Sequence, residues 1–182
     1  MVVALAGRRI DENDSLEKRF PLSAVDAVET RLFTFFSRHA VTKLICSGAN
    51  GADLIALKVA KALDIDREMI LPFDAETFKK ISVTDRPGNW LRLFNEYYEE
   101  LSTDHGVKIL QFNATDNHAF DKTSLAILDY AESVVEEGTV DKTGLHAVVV
   151  WDKVKKKVGD ASYIFFREAI RRSIPVTEIL SL

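Results

Sequence analysis

Cysteine is almost missing from this chain: Cys46 alone in 182 residues, so no internal disulfide can form. It falls in an apolar run that reads as a buried strand, where an inert core thiol is expected. Long hydrophobic runs are missing too. None approaches the roughly 20 residues that span a bilayer, and the first apolar run, Val2–Ala6, is too short for the core of a signal peptide. No membrane partner is expected, and a reducing cytoplasm is the compartment that fits. There is no basic excess: 24 Lys+Arg against 28 Asp+Glu give a net charge of −4, which offers nucleic acid or acidic membranes no general attraction. The histidines His39, His105, His118 and His146 have no metal-ligand spacing with each other or with Cys46, so neither a metal nor another cofactor is expected. No Gly-x-Ser-x-Gly elbow and no Walker-type Gly-Lys-Ser/Thr turn occurs, which sets aside hydrolase and kinase-like chemistry of those kinds.

What is present is an ordinary globular composition, 47% apolar and 29% charged, long enough for one domain with a proper core. Strand and helix patterns alternate along it. Strands are expected at Val2–Ala6, Lys43–Cys46, Glu68–Leu71, Val107–Phe112, Ala147–Trp151 and Val176–Leu180. Helices are expected at Leu22–His39, Ala52–Leu63, Ala75–Ile81, Asn89–Leu101, Ser124–Glu136 and Ser162–Arg172, with Thr84-Asp85-Arg86-Pro87-Gly88 as a breaker cluster. Such alternation predicts an α/β fold: a doubly wound, mostly parallel Rossmann-like sheet with helices on both faces. Right-handed crossovers would gather every strand-to-helix turn on one edge, where ligands of open α/β sheets bind.

One such turn carries the most information. Leu44-Ile45-Cys46 stops at Ser47-Gly48-Ala49-Asn50-Gly51-Ala52-Asp53, and a helix-forming run follows at once. Free N–H groups and the positive end of a helix dipole meet there, so the turn suits a phosphate. Gly48 is expected to supply unusual backbone angles and close approach of a ligand, and Gly51 further donors. A second turn, Gly7-Arg8-Arg9, ends the first strand with fixed positive charge. The arginines are adjacent, so one can face a ligand while the other pairs with a carboxylate.

Other residues admit two readings. Asn50 and Asp53 are spaced as N-cap and N3 of a helix, and capping is preferred over ribose contact for Asp53. Asp11 could receive ribose hydroxyls or cap a turn. Phe73, after Pro72 at a strand end, could stack on a base, with core packing preferred. Trp90 and Tyr98 could rim a pocket. Lys153, Lys155, Lys156 and Lys157 form either a solvated turn or a lid whose lysines approach an anion.

Ala6-Gly7-Arg8-Arg9-Ile10-Asp11, Ser47–Asp53 and Leu71-Pro72-Phe73 follow one another along the chain, and Val148-Val149-Val150-Trp151-Asp152, Gly159-Asp160-Ala161-Ser162 and Ile174-Pro175-Val176 come after them. In this order they resemble the SLOG superfamily, which joins the Smf/DprA DNA-processing proteins and the LOG phosphoribohydrolases. The resemblance implies a Rossmann-like fold that binds a nucleotide or nucleotide-derived small molecule, and members that often pair as homo-oligomers. It leaves the activity open. The Pro-Gly-Gly-x-Gly-Thr turn of the LOG enzymes is matched by Val158-Gly159-Asp160-Ala161-Ser162, where one glycine is an aspartate and Ser162 stands near the threonine position. Glu168 lies later than the glutamate of that family. Asn50 stands where Smf/DprA proteins carry an arginine.

The reading is therefore a nucleotide-binding or sensing domain, with phosphate on Gly48, Ala49, Gly51 and Ala52, charge from Arg8 or Arg9, and base and ribose toward Phe73 and Gly159–Ser162. The catalytic residues, if any, are unknown. An N-glycosidic hydrolase of a nucleoside monophosphate, using Glu168, Asp160 or Asp53, is the alternative. Single-stranded nucleic acid is a weaker third.

Overall fold

A computed structural model describes residues 1–137, 144–156 and 159–182. Its centre is a six-stranded parallel sheet in the order β4-β3-β2-β1-β5-β6. The strands are β1 (Val2–Gly7), β2 (Lys43–Cys46), β3 (Asp66–Leu71), β4 (Val107–Ile109), β5 (Leu145–Trp151) and β6 (Val176–Leu180). The helices are α1 (Val25–Arg38), α2 (Ala52–Ala62), α3 (Ala75–Phe78), α4 (Trp90–Thr103), α5 (Ala119–Glu137) and α6 (Ala161–Arg171).

Strand alternation sorts the core into two layers. Val3 and Leu5 of β1 join Leu44, Met69, Val148 and Val150 against α1, α2 and α4. Ala4 and Ala6 face the other way, with Ile45, Ile70, Ala147 and Val149, against α5 and α6. Both faces are covered, which is why β5 reads as an unbroken apolar run. The doubly wound α/β architecture expected from the sequence is the one observed. Among the described residues no helix is long and apolar enough to cross a membrane.

Boundaries differ where a side chain or a turn redirects the backbone. β4 stops at Ile109 rather than Phe112 because Gln111 takes a left-handed conformation, φ 57°. α5 starts at Ala119, before Ser124, because the Asp116 carboxylate accepts the His118 N–H at 2.8 Å and turns the chain early. The helix begun at Ala75 passes into a π-helical turn, Lys79–Val83, a feature frequent at functional sites.

Strand β1 lies between β2 and β5. From β1 the chain winds outward through β2, β3 and β4. It then returns through α5 to place β5 on the opposite side of β1. The crevice beyond the carboxyl ends of β1 and β5 is where an open α/β sheet takes its ligand.

Candidate functional site

A cavity of about 170 Å³ fills that crevice. The turn after β1 supplies Gly7, Arg8 and Arg9, and the turn after β2 supplies Ser47, Ala49 and Asp53. Gly159, Asp160 and Ser162, at the start of α6, close the far side. These sequence candidates are brought together. Asp11, Gly48, Asn50, Gly51, Ala52 and Phe73 do not line the cavity. They stand behind it.

Arg8 organises one wall. It is 3% exposed. Its Nε donates to Asp152 at 3.0 Å, its Nη2 to Asp160 at 3.2 Å and to the Val154 carbonyl at 2.6 Å, and its Nη1 also reaches Asp160. Asp152 takes a second cation, Arg19, at 2.7 Å. Asp160 caps α6, accepting the N–H of Tyr163 at 3.1 Å, and also accepts that of Lys156 at 2.7 Å. Burial opposes ionisation of Asp160, but Arg8 and the two N–H donors outweigh it and hold its pKa below the usual carboxylate range. The expectation that only one arginine would meet a carboxylate is corrected, because Arg9 also has one: Nη1 binds Asp85 at 2.6 Å and the Ile81 carbonyl at 2.8 Å.

The turn after β2 is tied up internally. Gly51 has φ +87°, and a Cβ there would lie 2.7 Å from the Arg8 carbonyl oxygen. The left-handed position is thus Gly51, not Gly48, whose neighbours are the Met69 thioether and the Phe94 ring. The expected Asn50–Asp53 capping pair does not form, because Gly51 is the N-cap and has no side chain to offer. Asn50, fully buried, instead staples three segments. Its Oδ1 accepts the Ile10 N–H at 3.1 Å, and its Nδ2 donates to the Ser82 carbonyl at 2.8 Å and to Asp85 at 3.0 Å. The Ala52 N–H goes to the Arg8 carbonyl at 3.1 Å. The Ala49 N–H goes to Asp53 Oδ2 at 3.2 Å. Two donors expected to hold phosphate are therefore spent, one of them on a carboxylate.

Asp53 is 7% exposed. Burial pushes its carboxyl up to about 7, against the Ala49 N–H and the charge of Arg9. Only Oδ2 has a hydrogen-bond partner among the described residues.

The α6 side is different. The Tyr163 N–H is taken by the Asp160 cap and the Ile164 N–H by the Asp160 carbonyl at 2.9 Å. The N–H groups of Ala161 and Ser162, which precede any helical acceptor, carry no other hydrogen bond among the described residues. Lys156 lines the cavity beside them. Its ammonium has no carboxylate within ion-pair distance among the described residues, and burial, reinforced by Arg8, lowers its pKa. Its neighbours are engaged elsewhere: Lys153 pairs with Glu178 at 3.3 Å and Lys155 lies over the Tyr163 ring. Lys157 and Val158 lie outside the described residues.

Several cavity residues were not anticipated. Ser82, in the π-helical turn, is fully buried, and its Oγ has no hydrogen-bond partner. Phe78, Phe120 and Ser124 also line the space. The signal for Ser82 was the breaker cluster just after it, and for Phe120 the Asp116 turn before it. Phe73 is 4% exposed and meets Phe120 edge-on at 5.8 Å, so it supports the aromatic wall from behind. Asp11 caps its own loop, accepting the N–H groups of Arg19 at 2.9 Å and Phe20 at 3.1 Å. Trp90 donates to the Pro87 carbonyl and Tyr98 stacks on Phe94, both away from the cavity. Glu168 is bound by Arg171 and Arg172, which hold its pKa down to about 2, and it does not line the cavity. No His/Cys/Asp/Glu cluster fit for a metal occurs among the described residues.

No protein-family model and no curated protein matches this chain.

Two outcomes follow for the folded state. Arg8→Ala strips the partner from buried carboxylates and should cost about 3–5 kcal/mol in urea unfolding at neutral pH. The loss should shrink in acid as Asp160 protonates; a loss below about 1 kcal/mol would contradict the network. Asp53 acts with the opposite sign. Its folded-state pKa is raised, so its stabilising contribution is complete below about pH 4 and is lost as pH rises toward 7, by up to about 4 kcal/mol. Asp53→Asn should remove that slope, so that the variant gains on the wild type between pH 4 and 7. Parallel stability curves would contradict a buried, reluctant carboxylate.

Proposed function

We propose that this chain binds a nucleotide or nucleotide-derived ligand in the crevice beyond β1 and β5, as a sensor or binding protein. The observation that carries the reading is a cluster of unmet donors on the α6 wall of the cavity: the Lys156 ammonium, without a carboxylate among the described residues, and the Ala161 and Ser162 N–H groups. A half-buried unpaired cation and unpartnered N–H groups at a helix N-terminus both lower the free energy by taking an anionic, hydrogen-bonding ligand. The phosphate goes to the α6 end, over the Ala161 and Ser162 N–H groups and beside Lys156, rather than onto the spent turn after β2. Phe120, partly exposed and backed by Phe73, offers a face for the base. The spare donors of Arg9 add charge at the rim.

This reading agrees with the SLOG resemblance, and membership of that superfamily is part of the proposal, as are a cytoplasmic setting and self-association. The enzyme alternative, N-glycosidic hydrolysis, keeps one supporting observation: Asp53, with a carboxyl poised near neutrality inside the cavity. The other two acidic candidates are engaged in ion pairs, Glu168 outside the cavity and Asp160 on its wall.

A thermal-shift panel of AMP, ADP, cyclic nucleotides, ADP-ribose and NAD at ligand excess tests it, with mass spectrometry of each mixture afterwards. At least one compound should raise the melting temperature and remain intact, and Lys156→Ala should weaken its binding about tenfold, the scale of one charge-assisted hydrogen bond. No rise with any compound would overturn the proposal. Free base in the mixture would move the chain to the enzyme alternative.

A further inference from the structure

We infer that the cavity selects ribosyl over deoxyribosyl phosphates, because the free oxygen of Asp53 receives the vicinal hydroxyls of the sugar; this rests on the nucleotide reading above. The two ends of the cavity have opposite chemistry. At the α6 end, Lys156 and the Ala161 and Ser162 N–H groups offer donors and positive charge. At the end formed by the turn after β2, the most demanding group is an acceptor. Asp53 is buried, and its Oδ1 has no donor among the described residues.

An ionised carboxylate accepts hydrogen bonds only. Phosphate oxygens therefore cannot satisfy the ionised form of Asp53, and like charge repels them from it. The nearby protein donors make no bond to it: Arg9, the cation that acts on Asp53, is held through Nη1 by Asp85 and the Ile81 carbonyl and makes no hydrogen bond to Asp53 among the described residues. The Asn50 amide is committed to Ser82 and Asp85. Cys46, at the end of β2, is itself a buried thiol whose pKa Asp53 helps to raise. The remaining charged groups of the cavity wall, Arg8 and Asp160, are bound to each other. No protein group among the described residues supplies that donor, so it comes from water in the free chain and from the ligand when one binds.

A ribose diol supplies two O–H groups to one oxygen with two lone pairs. The exposed ring of Phe120 suits a base better than the carboxylate end does. A sugar whose 2′-hydroxyl is missing leaves the buried carboxylate short of a donor, and a site built to bind a hydroxyl rejects the analogue that lacks it.

Calorimetric titration with the pairs AMP/2′-deoxy-AMP and GMP/2′-deoxy-GMP tests this, because the base is the same within each pair. The ribonucleotide should bind at least about tenfold more tightly. In Asp53→Asn the ratio should fall to within about threefold, while the variant melts no lower than the wild type at pH 7.5. A readout that needs no variant is proton release at pH 7, obtained by repeating the titrations in buffers of different ionisation enthalpy. The ribonucleotide should release more protons than its deoxy partner, because two donors hold Asp53 ionised. Equal affinities or equal proton release within the pairs would overturn the inference and leave nucleotide binding standing. Discrimination undiminished in Asp53→Asn would overturn the role of Asp53. If no nucleotide of the thermal panel binds, the nucleotide reading falls and this inference falls with it.

Discussion

One buried guanidinium sets the shape of the ligand edge. Arg8 follows β1 directly, and β1 is the strand at which the order of the sheet reverses. From there it reaches the residue after β5, Asp152, and the cap of α6, Asp160. Removing these charges from water is costly, and mutual pairing with further hydrogen bonds offsets that cost. The result is more than a local ion pair. The segment from Asp152 to Asp160 is drawn against the β1 turn at both ends, and the described residue between them that faces the cavity with an unpaired charge is Lys156.

The same arrangement makes the two helix N-termini at the crevice unequal. At α2 the carboxylate is inside: Asp53 takes the Ala49 N–H, and the Arg8 carbonyl takes that of Ala52. At α6 the capping carboxylate is neutralised by Arg8, so its charge does not oppose an anion at the first turn. Two similar strand-turn-helix units thus become a donor end and an acceptor end of one cavity. That asymmetry is what would orient the proposed ligand, which has both a phosphate and hydroxyls.

The fold was readable from the sequence because its signal is repeated. Six apolar runs alternate with helical periods, and the run Ala147-Val148-Val149-Val150-Trp151 in β5 leaves no polar face for solvent. Much of the cavity was readable as well, since Gly7, Ser47, Ala49, Asp53 and the Gly159–Ser162 turn sit where strands pass into helices, on the edge that the topology brings together. What could not be read were choices between partners. Nothing in Gly-Arg-Arg tells that Arg8 meets Asp152 and Asp160, 144 and 152 residues away, or that Arg9 meets Asp85. Nothing in Gly-Ala-Asn-Gly tells that Asn50 turns away from its own helix to staple Ile10, Ser82 and Asp85. Local spacing assigns a cap; long-range contacts decide where the side chain goes. Ser82 was hidden for a related reason, since an α-helical period does not announce the π-helical turn that carries it to the cavity.

The central claim is that the crevice walled by Arg8 is where the proposed ligand sits. Hydrogen–deuterium exchange with and without saturating AMP tests it most directly, because it reports on each backbone segment by itself. The account predicts slower exchange in the segments 159–164, 47–55 and 119–125, and little change along α1 and β6. Protection confined to segments remote from the crevice, or no protection at ligand saturation, would contradict it.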